Sequence, residues 1–168
     1  KLSKKILLLA GPTACGKSKL AISLAKKING EIINADSMQV YKEFSILSSR
    51  PKLNEMKKIK HHLYGFVSVK KYFSAGDWLK EVKKKVNLCI KDNKIPIIVG
   101  GTGLYFSTIT KGISKIPDID NKTRKKVRNL FQKLGYKRFY KKLLTIDPKV
   151  KNKIMATDSQ RCQRAYEV

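Results

Sequence analysis

Lys4-Lys5-Ile6-Leu7-Leu8-Leu9-Ala10-Gly11-Pro12-Thr13-Ala14-Cys15-Gly16-Lys17-Ser18 runs from a short apolar stretch into a loop framed by two glycines and closed by Lys-Ser. Gly11 and Gly16 bracket four residues, so the loop turns tightly and aims successive backbone N–H groups inward, where they suit a poly-anion. Lys17 adds a point charge, and Ser18 a hydroxyl able to ligate Mg²⁺. Leu20, Ala21, Leu24, Ala25 and Ile28 then fall on one face at helical spacing, with Asn29-Gly30 as a C-terminal stop. The N-terminus of that helix points its partial positive charge at whatever the loop holds. A glycine-containing turn can carry this pattern by chance, but the strand before it and the helix after it are the context a phosphate cradle requires.

Length and composition bound what surrounds the cradle. A chain of 168 residues that is 42% hydrophobic can bury a core and suits one domain, or one domain with an inserted piece. Its formal net charge of +26 and isoelectric point near 10.1 favour a polyanionic partner, most simply nucleic acid. The plainer alternative is a lysine-rich solvated surface. Cys15, Cys89 and Cys162 are far apart and odd in number. They give neither a disulfide framework nor zinc spacing, which fits a reducing cytoplasm. There is no apolar run of membrane-spanning length and no secretory signal pattern, so no membrane partner is expected.

Strands and helices alternate as far as Gly112. Glu31-Ile32-Ile33-Asn34-Ala35 reads as a second strand, and Asp36-Ser37-Met38-Gln39-Val40-Tyr41 follows at its carboxyl end, where ligands sit in open α/β sheets. Asp36 is there a candidate general base or metal ligand, and equally a turn or helix cap. Ser48-Ser49-Arg50-Pro51 is a polar loop carrying a cation. His61-His62-Leu63-Tyr64 enters a possible strand whose adjacent histidines point to opposite faces, which favours packing or hydrogen bonding over shared ligation of one metal. Ser74-Ala75-Gly76-Asp77 is a capping box. The helix behind it buries a stripe of Trp78, Leu79, Val82, Val86, Cys89 and Ile90, with Lys80, Lys83, Lys84 and Lys85 mostly turned away. Trp78 is read as core. Ile95-Pro96-Ile97-Ile98-Val99 is a third strand, buried on both faces of a parallel sheet. It empties into Gly100-Gly101-Thr102-Gly103-Leu104-Tyr105, a second place where backbone can approach a ligand closely, with Thr102 supplying a hydroxyl.

Beyond Gly112 only helices are expected, which divides the chain into an α/β core over 1–112 and a basic helical module over 113–168. Asp120 caps a helix burying Val127, Leu130, Phe131 and Leu134 and closed by Gly135; Phe139, Tyr140, Leu143 and Leu144 mark another; Asp147-Pro148 starts a third. From Ile113 to Val168 there are 16 Lys+Arg against 5 Asp+Glu. Asp158-Ser159-Gln160-Arg161-Cys162-Gln163-Arg164 opens the last helix with amide and guanidinium groups suited to base edges and phosphates, or else forms an ordinary capped surface helix.

Taken together, Gly11-Pro12-Thr13-Ala14-Cys15-Gly16-Lys17-Ser18, Asp36-Ser37 with Tyr41-Lys42, His61-His62-Leu63, Phe73-Ser74-Ala75, Gly100 to Tyr105 and Asp158-Ser159-Gln160-Arg161 resemble, in order and across the whole chain, the tRNA dimethylallyltransferases. Cys15 and Ser18 depart from the Ser and Thr common there but keep the needed chemistry. The resemblance implies a P-loop NTPase-like parallel sheet flanked by helices with an inserted all-helical module. It also implies transfer of a dimethylallyl group from dimethylallyl diphosphate to N6 of an adenosine beside the anticodon of tRNA. The loop Gly11–Ser18 would hold the leaving pyrophosphate, not ATP, with Lys17 and Mg²⁺ at Ser18 neutralising it. Asp36 would accept the amine proton, with Thr102 beside it. Asp36, Ser37, Met38, Gln39, Thr102, Arg124 and the run Gln160, Arg161, Cys162, Gln163 and Arg164 would face the tRNA anticodon stem-loop, with the target base turned out of its stack. A cytoplasmic monomer is expected. The family continues well beyond Val168, so the chain is expected to be somewhat more than half of an enzyme.

Two other classes share the loop. A nucleoside or nucleotide kinase uses it for phosphoryl transfer, but leaves the double glycine and the basic helices unexplained. A GTPase or motor ATPase would end its third strand in Asp, where this chain has Gly100. An RNA-binding protein with a vestigial loop would have no need of intact Lys17 and Ser18.

Overall fold

A computed structural model describes residues 5–44, 46, 48, 50–51, 53–56, 59–113 and 119–168. Lys4 of the opening run and Ser49 of the polar loop lie outside the described residues. The opening apolar run forms β1 (Leu7–Ala10), and the helix after the loop is α1 (Lys17–Ile28). There follow β2 (Gly30–Asn34), the single turn α2 (Leu53–Met56), β3 (His61–His62), α3 (Ala75–Lys91), β4 (Ile95–Gly100) and α4 (Gly103–Lys111). The chain then holds α5 (Asn121–Ile146), a 3-10 turn (Pro148–Asn152) and α6 (Ser159–Glu167). It divides into two compact units, Lys1–Ile113 and Ser114–Val168.

In the first unit the strands are all parallel, in the order β1-β4-β2-β3. Side chains alternate across a strand, so Ile32, Ile97 and Val99 pack with Ala21 and Ala25 of α1, while Ile33 and Ile98 face Trp78, Val82, Val86 and Cys89 of α3. Both faces of β2 and β4 are therefore covered, which is why β4 is apolar throughout and β2 keeps polar residues only at Glu31 and Asn34, each buried and hydrogen-bonded. Pro96 is tolerated in central β4 because of this same alternation. Ile95 N–H bonds Asn29 O on the β2 side, which turns the Pro96 nitrogen toward β1, whose ladder starts only at Ile97.

Local differences from the sequence expectations have local causes. β3 stops at His62 because Leu63 takes a left-handed φ of 63°, which takes Leu63 and Tyr64 out of the strand. Leu20, expected on the buried face of α1, is 50% exposed; the small Ala21 and Ala25 are what fit against the sheet. The Asp147-Pro148 start produces a short 3-10 turn in place of a helix. The Ser74–Asp77 capping box forms with both reciprocal bonds.

The described residues of the second unit form helices and one 3-10 turn. α5 breaks at Gly135, whose φ of 68° and ψ of 166° lie outside the helical region, so its two halves bring Phe131 and Phe139 edge to face at 5.1 Å. Val127, Phe139, Leu143, Val150 and Cys162 form the core, with Leu130, Phe131, Leu134, Tyr140 and Leu144 partly buried around it. Tyr140 donates its hydroxyl to Ile154 O at 2.8 Å.

One buried polar cluster ties edge strand β3 into the first unit. His62 Nε2 lies 2.6 Å from Glu31 Oε2 on β2, and the Cys89 thiol donates to the same oxygen at 3.5 Å. The other histidine keeps apart, with Nδ1 2.6 Å from Ile59 O. Burial pushes the Glu31 carboxyl up, but the hydrogen bonds from His62 and Cys89 and the charge of Lys60 outweigh it and leave the group below its usual value. Burial and the Glu31 charge push the Cys89 thiol up to about 12. With a protonated thiol, and the Lys60 ammonium 3.8 Å from Glu31 Oε1, the three side chains satisfy one another and leave little call for a cation among them.

A carboxylate held below its ordinary value stabilises the fold above that value, and the contribution is lost as pH falls through the folded-state value. Glu31→Gln should cost about 1–3 kcal/mol at neutral pH. The gap in melting temperature between wild type and variant should narrow between about pH 5 and pH 3. Thermal melts followed by circular dichroism across that range check this, and a gap independent of pH would count against an ionised Glu31.

Candidate active site at the carboxyl edge of the sheet

Three loops meet where β1, β2 and β4 end. The first, residues 11–16, carries left-handed Ala14 (φ 64°) and Gly16 (φ 83°), and such reversals turn backbone N–H groups toward a common centre. Gly16 is also the N-cap of α1. It has no side chain to cap with, and α1 has no acidic residue in its first turn, so the first N–H groups and the positive end of the helix dipole stay available to an anion. The Lys17 ammonium folds back to donate to Pro12 O and lies 3.6 Å from the exposed Cys15 sulfur.

The second loop follows β2. The Asp36 N–H donates to Asn34 Oδ1 at 2.9 Å, and Asp36 Oδ1 accepts the Met38 N–H at 2.9 Å. The carboxylate is thus a turn cap through Oδ1, while Oδ2 is turned toward Gly101, 3.8 Å from where a Cβ would stand. The cap reading of Asp36 is met by Oδ1 alone. Asn34 underpins this loop by donating to Asp36 O and Leu63 O at 3.0 and 3.1 Å, and Trp78 Nε1 donates to Asn34 O at 2.9 Å. Fully buried Trp78 stacks on Tyr105 at 4.2 Å, so it is core, as its helical spacing indicates.

The third loop follows β4. Thr102 Oγ1 accepts the Ser37 N–H at 2.9 Å and lies 3.3 Å from Ser37 Oγ, while Thr102 N–H bonds Ala35 O at 3.2 Å. Thr102 thereby fastens the Asp36 loop to the glycine loop. The three loops open onto a cavity of about 500 Å³ lined by Thr13, Ala14, Gly16, Lys17, Ser18, Lys19, Asp36, Gln39, Arg50, Pro51, Tyr64, Val99 and Gly100. Burial, with the Asp36 charge adding to it, pushes the Tyr64 hydroxyl up, so it stays a neutral donor.

Of the residues singled out in the sequence, Gly11, Pro12, Thr13, Ala14, Cys15, Gly16, Asp36, Ser37, Met38, Gln39 and Thr102 belong to these three loops, and Lys17 and Ser18 open α1 directly after the first. Arg124 and Gln160 to Arg164 belong to the second unit. There, Arg161 and Arg164 pair with Asp158 and Glu167 at 3.4 and 3.0 Å, and Arg124 Nε is buried without a partner. Cys162 needs correction as a surface residue: it is 1% exposed and its thiol donates to Met155 O at 3.4 Å, because its place on α6 turns it into the helical core. Arg50, Lys19 and Tyr64 line the cavity without having been assigned to it from sequence; only the isolated cation of the Arg50-Pro51 loop gave a hint.

A family model described as IPP transferase matches residues 39–168. This chain belongs to the IPP transferase family. It is 57% identical over 164 residues to the tRNA dimethylallyltransferase of Pelagibacter ubique (98% of this chain, 52% of that protein). It is 44% identical over 163 residues to that of Ehrlichia canis (97% and 54%). Among solved structures it is similar to a eukaryotic dimethylallyltransferase described as acting on tRNA, with a TM-score of 0.78 and 34% identity over 96% of this chain and 40% of that one. It is also similar to the tRNA isopentenylpyrophosphate transferase of Bacillus halodurans (TM-score 0.65, 32% identity, 98% and 55%). The chain spans about half the length of the curated relatives it matches. The P-loop NTPase-like sheet of this IPP transferase chain, parallel and flanked by helices, is the fold of these neighbours.

The convergence depends on one missing side chain. A Cβ on Gly100 would lie 2.1 Å from Ala35 O, whereas one on Gly101 would meet Gly11 O at 3.3 Å. Gly100→Ala should therefore lower the melting temperature sharply, by ten degrees or so for a loss of about 2–3 kcal/mol, and Gly101→Ala only slightly. Equal melting temperatures for the two variants would contradict this geometry.

Proposed function

We propose that the chain supplies the catalytic core of an enzyme that moves a dimethylallyl group from dimethylallyl diphosphate to N6 of an adenosine next to the anticodon of tRNA, releasing diphosphate. The observation that carries this reading is one cavity holding both an uncapped, lysine-bearing phosphate cradle and a carboxylate with an oxygen to spare, in a chain of the IPP transferase family.

The chemistry divides between those two features. An allylic C–O bond breaks once the departing oxygen's charge is met, which the N–H groups of residues 13–18 and the Lys17 ammonium can do. The adenine amine is a weak nucleophile because its lone pair is delocalised into the ring. Its attack on the allylic carbon becomes favourable as its proton passes to Asp36 Oδ2, held in place by the cap that Oδ1 makes. Thr102 fixes Ser37, and with Ser37, Met38 and Gln39 it would border the base. The hydroxyl of Ser18 and the carboxylate of Asp36 line the same cavity, and hard oxygens of this kind suit Mg²⁺. Mg²⁺ held at Ser18 would add neutralising charge at the leaving diphosphate. The basic helices of the second unit would follow the RNA backbone. No helix among the described residues is long and apolar enough to cross a membrane.

A full-length protein containing this sequence, incubated with unmodified tRNA and either dimethylallyl diphosphate or ATP, tests the reading: prenylated tRNA is the expected product, and phosphate transfer from ATP would replace it with a kinase. Asp36→Asn keeps the Oδ1 cap and loses the base. Both substrates should still bind while the single-turnover rate falls about 10²–10⁴-fold, and a ratio near one would remove Asp36 from the chemistry. For the RNA, the logarithm of tRNA affinity should fall linearly with the logarithm of salt. Arg161→Ala should flatten the slope by about one unit if it meets a phosphate. A salt-independent affinity would leave the charge as bare surface.

A further inference from the structure

Arg50 is a half-buried guanidinium in the wall of the diphosphate cavity. It lies flat against Gly65: a Cβ there would stand 1.8 Å from Arg50 Nη1 and 2.8 Å from Cζ, and Gly65 has a φ of +53°, which side chains other than glycine's rarely tolerate. Gly65 is in turn anchored to the Asp36 loop by its N–H to Gln39 O, 2.9 Å. The guanidinium thus rests on a fixed backbone floor, close enough that any larger residue would displace it.

Nothing among the described residues balances its charge. The ion pairs there are Lys60 and His62 with Glu31, Lys84 with Glu81, Arg161 with Asp158 and Arg164 with Glu167. Among the described residues lining the cavity, Lys17, Lys19 and Arg50 are set against one carboxylate, Asp36. Cations gathered in a concave, partly desolvated site repel one another unless an anion enters. A guanidinium offers two parallel N–H bonds to two oxygens of one phosphoryl group, which a lysine cannot.

We propose that Arg50 is a second ligand of the diphosphate, gripping it from the side away from the loop Gly11–Ser18, and that Gly65 is its positioning residue. The proposal rests on the diphosphate reading above. In this arrangement the loop binds one phosphoryl group and Arg50 the other, so the site measures the length of the anion. A diphosphate bridges both holds, whereas orthophosphate fills only the loop.

Calorimetric titration of the full-length protein with inorganic pyrophosphate, and separately with orthophosphate, tests this. Arg50→Ala should weaken pyrophosphate about 10- to 100-fold, leave orthophosphate within about twofold, and leave tRNA affinity unchanged. Arg50→Lys should recover part of the loss. Gly65→Ala should reproduce the Arg50→Ala effect, and the double variant should be no worse than either. Pyrophosphate affinity unaltered in Arg50→Ala overturns the proposal, and a selective loss of tRNA affinity would make Arg50 an RNA contact instead. Transfer by the wild-type protein from dimethylallyl diphosphate decides the underlying reading independently, since it does not depend on how Arg50→Ala behaves.

Discussion

At the carboxyl end of β4 the backbone of Gly100 passes so close to Ala35 that no β-carbon fits between them. That approach lets Ala35 N–H bond Val99 O at 2.7 Å, Thr102 N–H return to Ala35 O, and Gly11 N–H reach Gly100 O at 3.3 Å. Three loops distant in sequence are stitched together through one point. The phosphate cradle, the Asp36 carboxylate and the Thr102 hydroxyl are neighbours because β4 runs between β1 and β2 without a side chain to hold them apart. A sheet with the same strands but a bulkier residue at this position would splay its loops, and Lys17 and Asp36 would lose the cavity they share.

Around that point, polar side chains are placed so that none needs to move to be satisfied. Asn34 spends its amide on Asp36 and Leu63 and its carbonyl oxygen on the Asp36 N–H, while its backbone oxygen takes the Trp78 indole. The Asp36 loop is therefore braced from the core, and the indole that braces it is itself clamped by stacking on Tyr105. At the opposite end of β2, Glu31, His62 and Cys89 do for edge strand β3 what Asn34 does for the site. In both places a buried polar group is tolerated because it is met by hydrogen-bond partners.

Much of this was legible in the sequence wherever the signal was local. The strand, glycine loop and helix from Leu7 to Ile28 announce themselves through adjacent residues, as do the Ser74–Asp77 capping box and the Asp120 and Asp158 caps. The placement of β4 between β1 and β2 was not, because strand order is a property of long-range pairing and leaves no periodicity behind. Arg50 and Tyr64 escaped assignment for a related reason: Tyr64 sits between Leu63 and Gly65, both at positive φ, and Arg50 comes from the connection before β3 to lie against that turn. Cys162 was misplaced because it was read with its polar neighbours, while the four-residue step from Asp158 turns it inward against Met155. Which oxygen of Asp36 makes the cap could not be read at all, since the two share one residue letter and differ only in direction.

The parallel order of the sheet also has a consequence in time. Among the described strands β1 pairs with β4, Leu7 opposite Ile97, so it waits until β4 has been made before it has that partner. A nascent chain that has emerged only as far as α1 holds the whole loop sequence and yet lacks the Gly100 carbonyl that anchors Gly11. Contacts of such long sequence separation carry a large loop-closure cost and slow the search for the native state. The most local motif in the sequence accordingly acquires its working shape only once β4 is in place, and anion binding can report that pairing rather than synthesis of the loop.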